Sequence, residues 1–467
     1  MSAVPLTISD AAAAIRAGET TAVELTTVML QRIAADNDRL GAFVTVCDET
    51  ALEAAAAADA DLANGVDHGP LQGIPLAIKD IIATKDAPTT ANSLILDPAW
   101  GAGVDAPVVA RLRAAGAVSI GKSTTMEFAC GLPDADKPFL VPHNPWNVEH
   151  TPSGSSSGTG VAILAGMALG GLGTDTGGSV RGPSAANGHT GLKVTFGRVP
   201  KNGVTPLGYS LDSIGPMARS ALDCALLLQV MAGHDPGDPD AASAPVDDYA
   251  GALSGDVAGL RVGVPTPFFF DSPHLDPEVH AAVTAAIEEL RGLGATIVET
   301  EVPLAAQAKD ANTITMVAEA YAYHRNDLVT RWNDYGCHTR MTLARGAMVT
   351  AADFTQAQRV RTAFRRGLAG VFADVDVLVT PTMLTPAAKA AEMRMESTID
   401  VPSFTGVFNL TGLPACATPV GFSSGGLPLS MQVVARPFAE ATALRVADAY
   451  QRVTDWHLQS PAMAVAA

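Results

Sequence analysis

Positive charge is scarce in this chain. Thirty lysines and arginines stand against 48 aspartates and glutamates in 467 residues, a formal net charge of -18. Nucleic acid and anionic membrane surfaces attract lysine and arginine, so neither is expected as a nonspecific partner. No apolar run reaches the roughly 20 residues that a membrane-crossing helix requires. The opening MSAVPLTISDAAAAIRAGE lacks the basic start and apolar core of a signal peptide, so a cytoplasmic location is expected and Asn409 in NLT carries no glycosylation meaning. Cysteine is also sparse: five residues, odd in number and scattered, exclude a disulfide framework. With the ten histidines they form no CxxC, HExxH or HxH, so no metal centre is expected. The Gly-rich stretch GGLGTDTGG lacks the GKS/T ending of a phosphate loop and a suitably placed acidic residue, so no nucleotide cofactor is implied.

What the chain does have is concentrated in three segments. Residues 171–192 read GLGTDTGGSVRGPSAANGHTGL, where Ser179 follows Thr176, Gly177 and Gly178. A hydroxyl there meets a substrate carbonyl while unobstructed backbone amides point at the same oxygen. Upstream lie a second Gly/Ser loop, TPSGSSSGTG at 151–160, and a single lysine, Lys79, in the apolar run GIPLAIKDII. A serine hydroxyl needs a base to become nucleophilic, and a lysine serves only when neutral, against a reference pKa of about 10.4. Ile74, Leu76, Ile78, Ile81 and Ile82 flank Lys79 and penalise its ammonium form. Ser155 in the middle loop can relay the proton.

Taken singly, each segment has an ordinary reading. A lysine after an apolar run commonly marks the exposed end of a strand, and Gly/Ser tracts including Ser153, Ser155, Ser156 and Ser157 are commonly turns. GSSSG at 154–158 also fits a nucleophile elbow, which would nominate Ser156 with His189, His324 or His457 as partner. An elbow follows a buried strand, however, and VPHNPWNVEHTP, with three prolines, does not read as one.

In combination, SGSSSG and GTDTGGSVRGP, with Ser155 and Ser179 about two dozen residues apart, resemble the paired signature of the amidase signature family. The likeness extends through AVELTTVMLQRI, GKSTTMEFACG, LDSIGPMARS, FNLTGLPACATPVGF and GLPLSMQVV. It implies Ser179 as nucleophile, Ser155 as a bridging serine on a cis peptide and Lys79 as base. The oxyanion would be held around Thr176, Gly177 and Gly178, and Ala129 and Cys130 would lie near the acyl group. It also implies a single α/β/α domain around a mixed central sheet, a homodimer, no cofactor, and a small-molecule amide substrate cleaved through a serine acyl-enzyme. Carbamates, aryl amides and esters present the same carbonyl and are alternatives on the same site. A further alternative is the glutaminase subunit of tRNA-dependent amidotransferases, although that group's GKTNMDEFAMGSST pattern here reads GKSTTMEFACGLPD.

Organisation along the chain follows periodicity. Thr21 and Glu24 form a capping box ahead of Leu25, Val28, Met29 and Ile33, and the alanine-rich 51–63 continues a helical N-terminal segment, 1–65. Residues 71–220 alternate apolar runs, helical patterns and Gly-rich loops, forming the expected catalytic core. The Asp/Pro/Gly/Ala-rich 233–258 is a surface connection. LRVGVP, 276–293, ATIVETEV and 376–382 read as strand, helix, strand and buried strand, with parallel pairing. Residues 313–372, which hold Tyr321, Tyr323, Trp332, Tyr335 and Met348, are expected to wall the substrate pocket.

Overall fold

A computed structural model describes residues 6–394 and 403–462. Local signals set the helices. Thr7 accepts from the Asp10 N–H to start α1 (Ile8–Ala17), and Gly18 ends it in the left-handed conformation. Both halves of the Thr21–Glu24 capping box form at the start of α2 (Ala22–Leu40). The later helices are α3 (Asp48–Ala63), α4 (Pro107–Ala114), α5 (Ser157–Leu164), α6 (Arg181–Asn187), α7 (Ala221–Met231), α8 (Pro277–Gly292) and α9 (Ala305–Thr330). The last four are α10 (Cys337–Arg345), α11 (Ala351–Asp374), α12 (Gly406–Thr411) and α13 (Glu440–Gln451).

Eleven strands form one mixed sheet among the described residues. They are β1 (Phe43–Val46), β2 (Pro75–Lys79), β3 (Val118–Ser123), β4 (Gly170–Asp175), β5 (Thr190–Lys193), β6 (Ser213–Ala218), β7 (Arg261–Pro265), β8 (Thr296–Thr300), β9 (Val377–Pro381), β10 (Ala415–Phe422) and β11 (Pro428–Ala435). Their spatial order is β1-β3-β2-β4-β6-β5-β10-β11-β9-β7-β8. Every residue of β2, β3, β4, β5, β6, β9 and β11 is buried, so the central strands are covered on both faces and the architecture is α/β with helical layers. One core cluster runs under the centre of the sheet, and a second gathers Phe269, Phe364, Phe372, Phe404 and Phe408 between α9, α11, α12 and the β9–β11 end.

The strand–helix–strand reading of 260–302 corresponds to β7, α8 and β8, and β7 pairs in parallel with both β8 and β9. The N-terminal segment departs from the expected all-helical course, because Phe43–Val46 forms edge strand β1 against β3. Four residues are too few for an alternating pattern to declare itself. Residues 233–258 carry no helix or strand and join α7 to β7. Within 313–372 lie most of α9, all of α10 and all but the last two residues of α11. Tyr335 is fully buried there and hydrogen-bonds His324, whereas Met348 projects into solvent.

Strand direction positions the chemistry. β2 lies between β3 and β4 and runs parallel to both, with Lys79 opposite Ser123 and Ile78 opposite Leu172. The carboxyl ends of these strands therefore share one edge, where α/β folds place their ligand sites. Helix α5 packs tightly there: a Cβ on Gly158 would stand 2.3 Å from the Ala42 carbonyl oxygen and 2.5 Å from the Thr124 nitrogen. Both obstacles are backbone, so Gly158→Ala must push α5 and the loop before it outward. Overpacking of this kind costs about 1–3 kcal/mol; urea unfolding should show that loss.

Candidate active site

Lys79 closes β2 and is fully buried. Its Nζ touches three hydroxyls: Ser155 Oγ at 2.8 Å, Thr174 Oγ1 at 2.8 Å and Ser156 Oγ at 3.0 Å. Among the described residues no carboxylate reaches it. Burial pulls its pKa down to about 7, against the more distant pull of Asp212 and Asp175. A neutral amine has two N–H donors and one lone pair, so it can accept a proton from one hydroxyl while donating to the other two. Two other lysines are buried without this arrangement. Lys122 pairs with Asp80 at 3.3 Å and donates to the Ile82 carbonyl and Thr89. Lys193, also lowered to about 7 by burial, donates only to the carbonyl of Val194. A pKa depressed by burial is thus common to Lys79, Lys122 and Lys193, and the ring of hydroxyls distinguishes Lys79.

The middle loop is pinned at both ends. The Gly154–Ser155 peptide is cis. The Ser155 carbonyl accepts from Thr125 Oγ1 at 2.9 Å and from the Met126 N–H at 3.2 Å. Ser156 is wholly buried; its hydroxyl accepts from the Thr174 N–H and donates to the Thr174 carbonyl. No strand precedes this loop, and His189, His324 and His457 are engaged or enclosed elsewhere, each with its pKa lowered to about 4 by burial. The elbow arrangement around Ser156 is therefore not formed.

Ser179 sits four residues beyond the end of β4 and is half-buried. Its carbonyl accepts from the Ser156 N–H at 3.2 Å, which stitches the two Gly/Ser loops together. The Ser179 hydroxyl makes no hydrogen bond among the described residues, so the structure joins Lys79 to Ser155 directly and brings Ser179 alongside through the backbone. Of the three oxyanion candidates, Gly178 requires correction: its N–H already donates to Asp175 Oδ1 at 2.7 Å. That charge-assisted bond commits the amide to the carboxylate. The N–H groups of Thr176, Gly177 and Ser179 have no acceptor among the described residues. Thr176 Oγ1 donates to Asp212 Oδ1 at 2.5 Å, and Thr405 Oγ1 to the Gly177 carbonyl at 2.7 Å, so both residues are held in place.

An ion pair that had no assigned role in the sequence fixes this loop. Arg181 grips Asp175 in a bidentate pair, Nε to Oδ2 and Nη2 to Oδ1, both at 3.0 Å and both residues fully buried. Asn409 Oδ1 accepts from Arg181 Nη2 and Gln432 Oε1 from Arg181 Nη1, and Asn409 Nδ2 returns a bond to Asp175 Oδ1. Burial alone would raise the Asp175 carboxyl; the Arg181 guanidinium, with Lys193 and Asn409, holds it far below the usual range. The available signal was the pair of opposite charges, six residues apart, in an otherwise uncharged Gly/Ser loop. Thr174, a partner of Lys79, carried no comparable signal.

Ala129 lines a cavity of about 240 Å³ with Ile81, Thr174, Leu207, Tyr209 and Asp212. Cys130 does not line it. Its carbonyl accepts from Thr339 on α10, and burial pushes its thiol up to about 12. The two residues are neighbours in sequence, but Phe128 and Ala129 adopt left-handed backbone and the turn sends the thiol away. Cys47, Cys224 and Cys416 are likewise buried with raised pKa, and Cys337 is exposed. Among the described residues no cluster of potential metal ligands forms, and no helix is long and apolar enough to cross a membrane.

A family profile described as Amidase matches residues 24–444. The chain belongs to the amidase signature family. Among its relatives, a glutamyl-tRNA(Gln) amidotransferase subunit of Chloroflexus aggregans is 42% identical over 489 residues, covering 98% of each chain. Among solved structures, the peptide amidase of Stenotrophomonas maltophilia superposes with a TM-score of 0.82 at 30% identity, covering 96% of both chains. The corresponding glutamyl-tRNA(Gln) amidotransferase subunit of Thermotoga maritima gives 0.79 at 30% identity, over 93% of this chain and 92% of that one. In this amidase, removing one partner of the buried pair strands a charge. Arg181→Met should lower stability by about 3–5 kcal/mol in urea unfolding, and adding Asp175→Asn should restore part of the loss.

Proposed function

We propose that the chain cleaves a carboxamide C–N bond by acyl transfer to Ser179. Ser179 Oγ attacks the carbonyl carbon as its proton passes to Ser155 and that of Ser155 to neutral Lys79. The C=O electrons move to oxygen, where the amides of Thr176, Gly177 and Ser179 are available to receive them. Collapse breaks the C–N bond, the relayed proton leaves on the amine, and water then releases the acid by the same path. The observation that carries this reading is the buried Lys79 amine bonded to Ser155 and, among the described residues, to no carboxylate. Ser179 is free to turn toward Ser155 because its hydroxyl is otherwise uncommitted, and such contacts often tighten only with substrate bound.

Two substrate readings share this chemistry. The name carried by the Chloroflexus relative, over 98% of both chains, supports glutamine as the amide, with ammonia released for a partner protein. This is the stronger support from sequence relatives. A free amidase acting on small carboxamides, with carbamates, aryl amides and esters as related substrates, is supported by the likeness to the peptide amidase and by the altered GKSTTMEFACGLPD segment. Turnover by the purified chain alone decides between them. A free amidase hydrolyses members of an amide, anilide, ester and urethane panel unaided, whereas a glutaminase component releases ammonia from glutamine efficiently only beside its partners.

A fluorophosphonate probe should label Ser179, and Lys79→Ala should abolish the labelling; modification at Ser156 instead would overturn the assignment. Because Lys79 must be neutral and its pKa is lowered to about 7, kcat/KM should rise with pH through about 7 and level off above it. A profile flat from pH 5 to 9 would remove Lys79 as the base.

A further inference from the structure

Asn312 occupies an unusual position. It lies inside α9, on the buried face with Ala308, Ala311 and Thr315, and is 5% exposed. Asparagine is a weak helix former, and buried amides in folded proteins are almost always paired. Yet Asn312 Oδ1 is enclosed without a hydrogen-bond partner among the described residues, so a leucine would serve both helix and core better.

The neighbours of this amide are glycines of the Ser179 loop and of α12. A Cβ on Gly177 would stand 3.6 Å from Asn312 Nδ2, and one on Gly406 would stand 3.3 Å from it. Two residues without side chains therefore border the amide, one of them two positions before Ser179. Thr405 Oγ1, bonded to the Gly177 carbonyl, closes the same slot. The amide thus turns Nδ2 toward Gly177, two residues before Ser179, while its Oδ1 is the unpartnered atom.

We propose that Asn312 contacts substrate. Its side-chain amide pairs with an uncharged hydrogen-bonding group on the acyl part, a few bonds from the scissile carbonyl. The site therefore prefers amides bearing such a group, for example a second carboxamide, over those bearing a plain alkyl chain. An amide offers both a donor and an acceptor, which a second carboxamide answers in both directions and an alkyl chain in neither. Leaving such a buried group unpaired is what makes hydrogen-bonding sites discriminating. The inference rests on Ser179 marking the reacting centre, as proposed above.

The test is made on binding, so that it does not depend on turnover. In a Ser179→Ala background, succinamide and pentanamide are titrated by ligand-observed NMR. Succinamide should bind about tenfold more tightly or better, the scale expected for satisfying a buried polar group. Asn312→Leu should bring the two affinities together. Asn312→Asp, nearly isosteric, loses the donor, should also shrink the preference, and covers the case in which the leucine variant does not fold. Equal binding in the Ser179→Ala chain, absent binding of both, or a preference unchanged in the folded variants would overturn the proposal. Turnover of the same amides with Ser179 intact is a separate measurement: a preference that depends on Asn312 without any hydrolysis would sink the proposed reaction and leave this contact standing.

Discussion

The site depends on keeping one amine dry. Lys79 lies at the end of a strand buried on both faces, so water cannot stabilise its ammonium form, and the nearest polar atoms are hydroxyls that serve either protonation state. A carboxylate in contact would favour the ammonium form, and Asp80 beside Lys122 pulls in that direction although burial still lowers that lysine. The parallel placement of β2 between β3 and β4 therefore sets the environment of this amine. It buries the strand end and delivers Thr174 and the Ser155 loop to the same edge.

A second constraint acts on the loop that carries Ser179. Asp175 is the hub: it receives the Gly178, Val180 and Arg181 amides, the Arg181 guanidinium and Asn409. This network reaches from the end of β4 across to α12 and β11, so residues more than 200 positions apart in sequence set the shape of one tight turn. Fixing the backbone in this way is how a site offers amides to a developing charge without reorganising at the moment of reaction.

Much of this is legible in the sequence, for reasons specific to each element. The capping box before α2, the alternation of strand and helix from β7 to β9, and the two Gly/Ser loops with a buried lysine are local patterns, and local patterns survive in sequence. Edge strand β1 is not legible, because four residues carry no periodicity. Gly178 misleads for a different reason: spacing puts its N–H in the right row, but only the three-dimensional position of Asp175 reveals that the donor is taken. Cys130 shares that lesson, since the backbone turn at Phe128 and Ala129 decides which neighbour faces the cavity. Asn312 lies far from every motif and emerges only once α9 is folded against Gly177 and Gly406.

The distribution of sulfur has a practical side. At neutral pH the four enclosed thiols hold almost no thiolate, the form that reacts with electrophiles. Only Cys337, at the start of α10, meets solvent. A soft alkylating reagent thus has one address on this molecule, remote from the Gly/Ser loops in sequence, which makes native single-point attachment of a dye or spin label feasible without first removing the other cysteines.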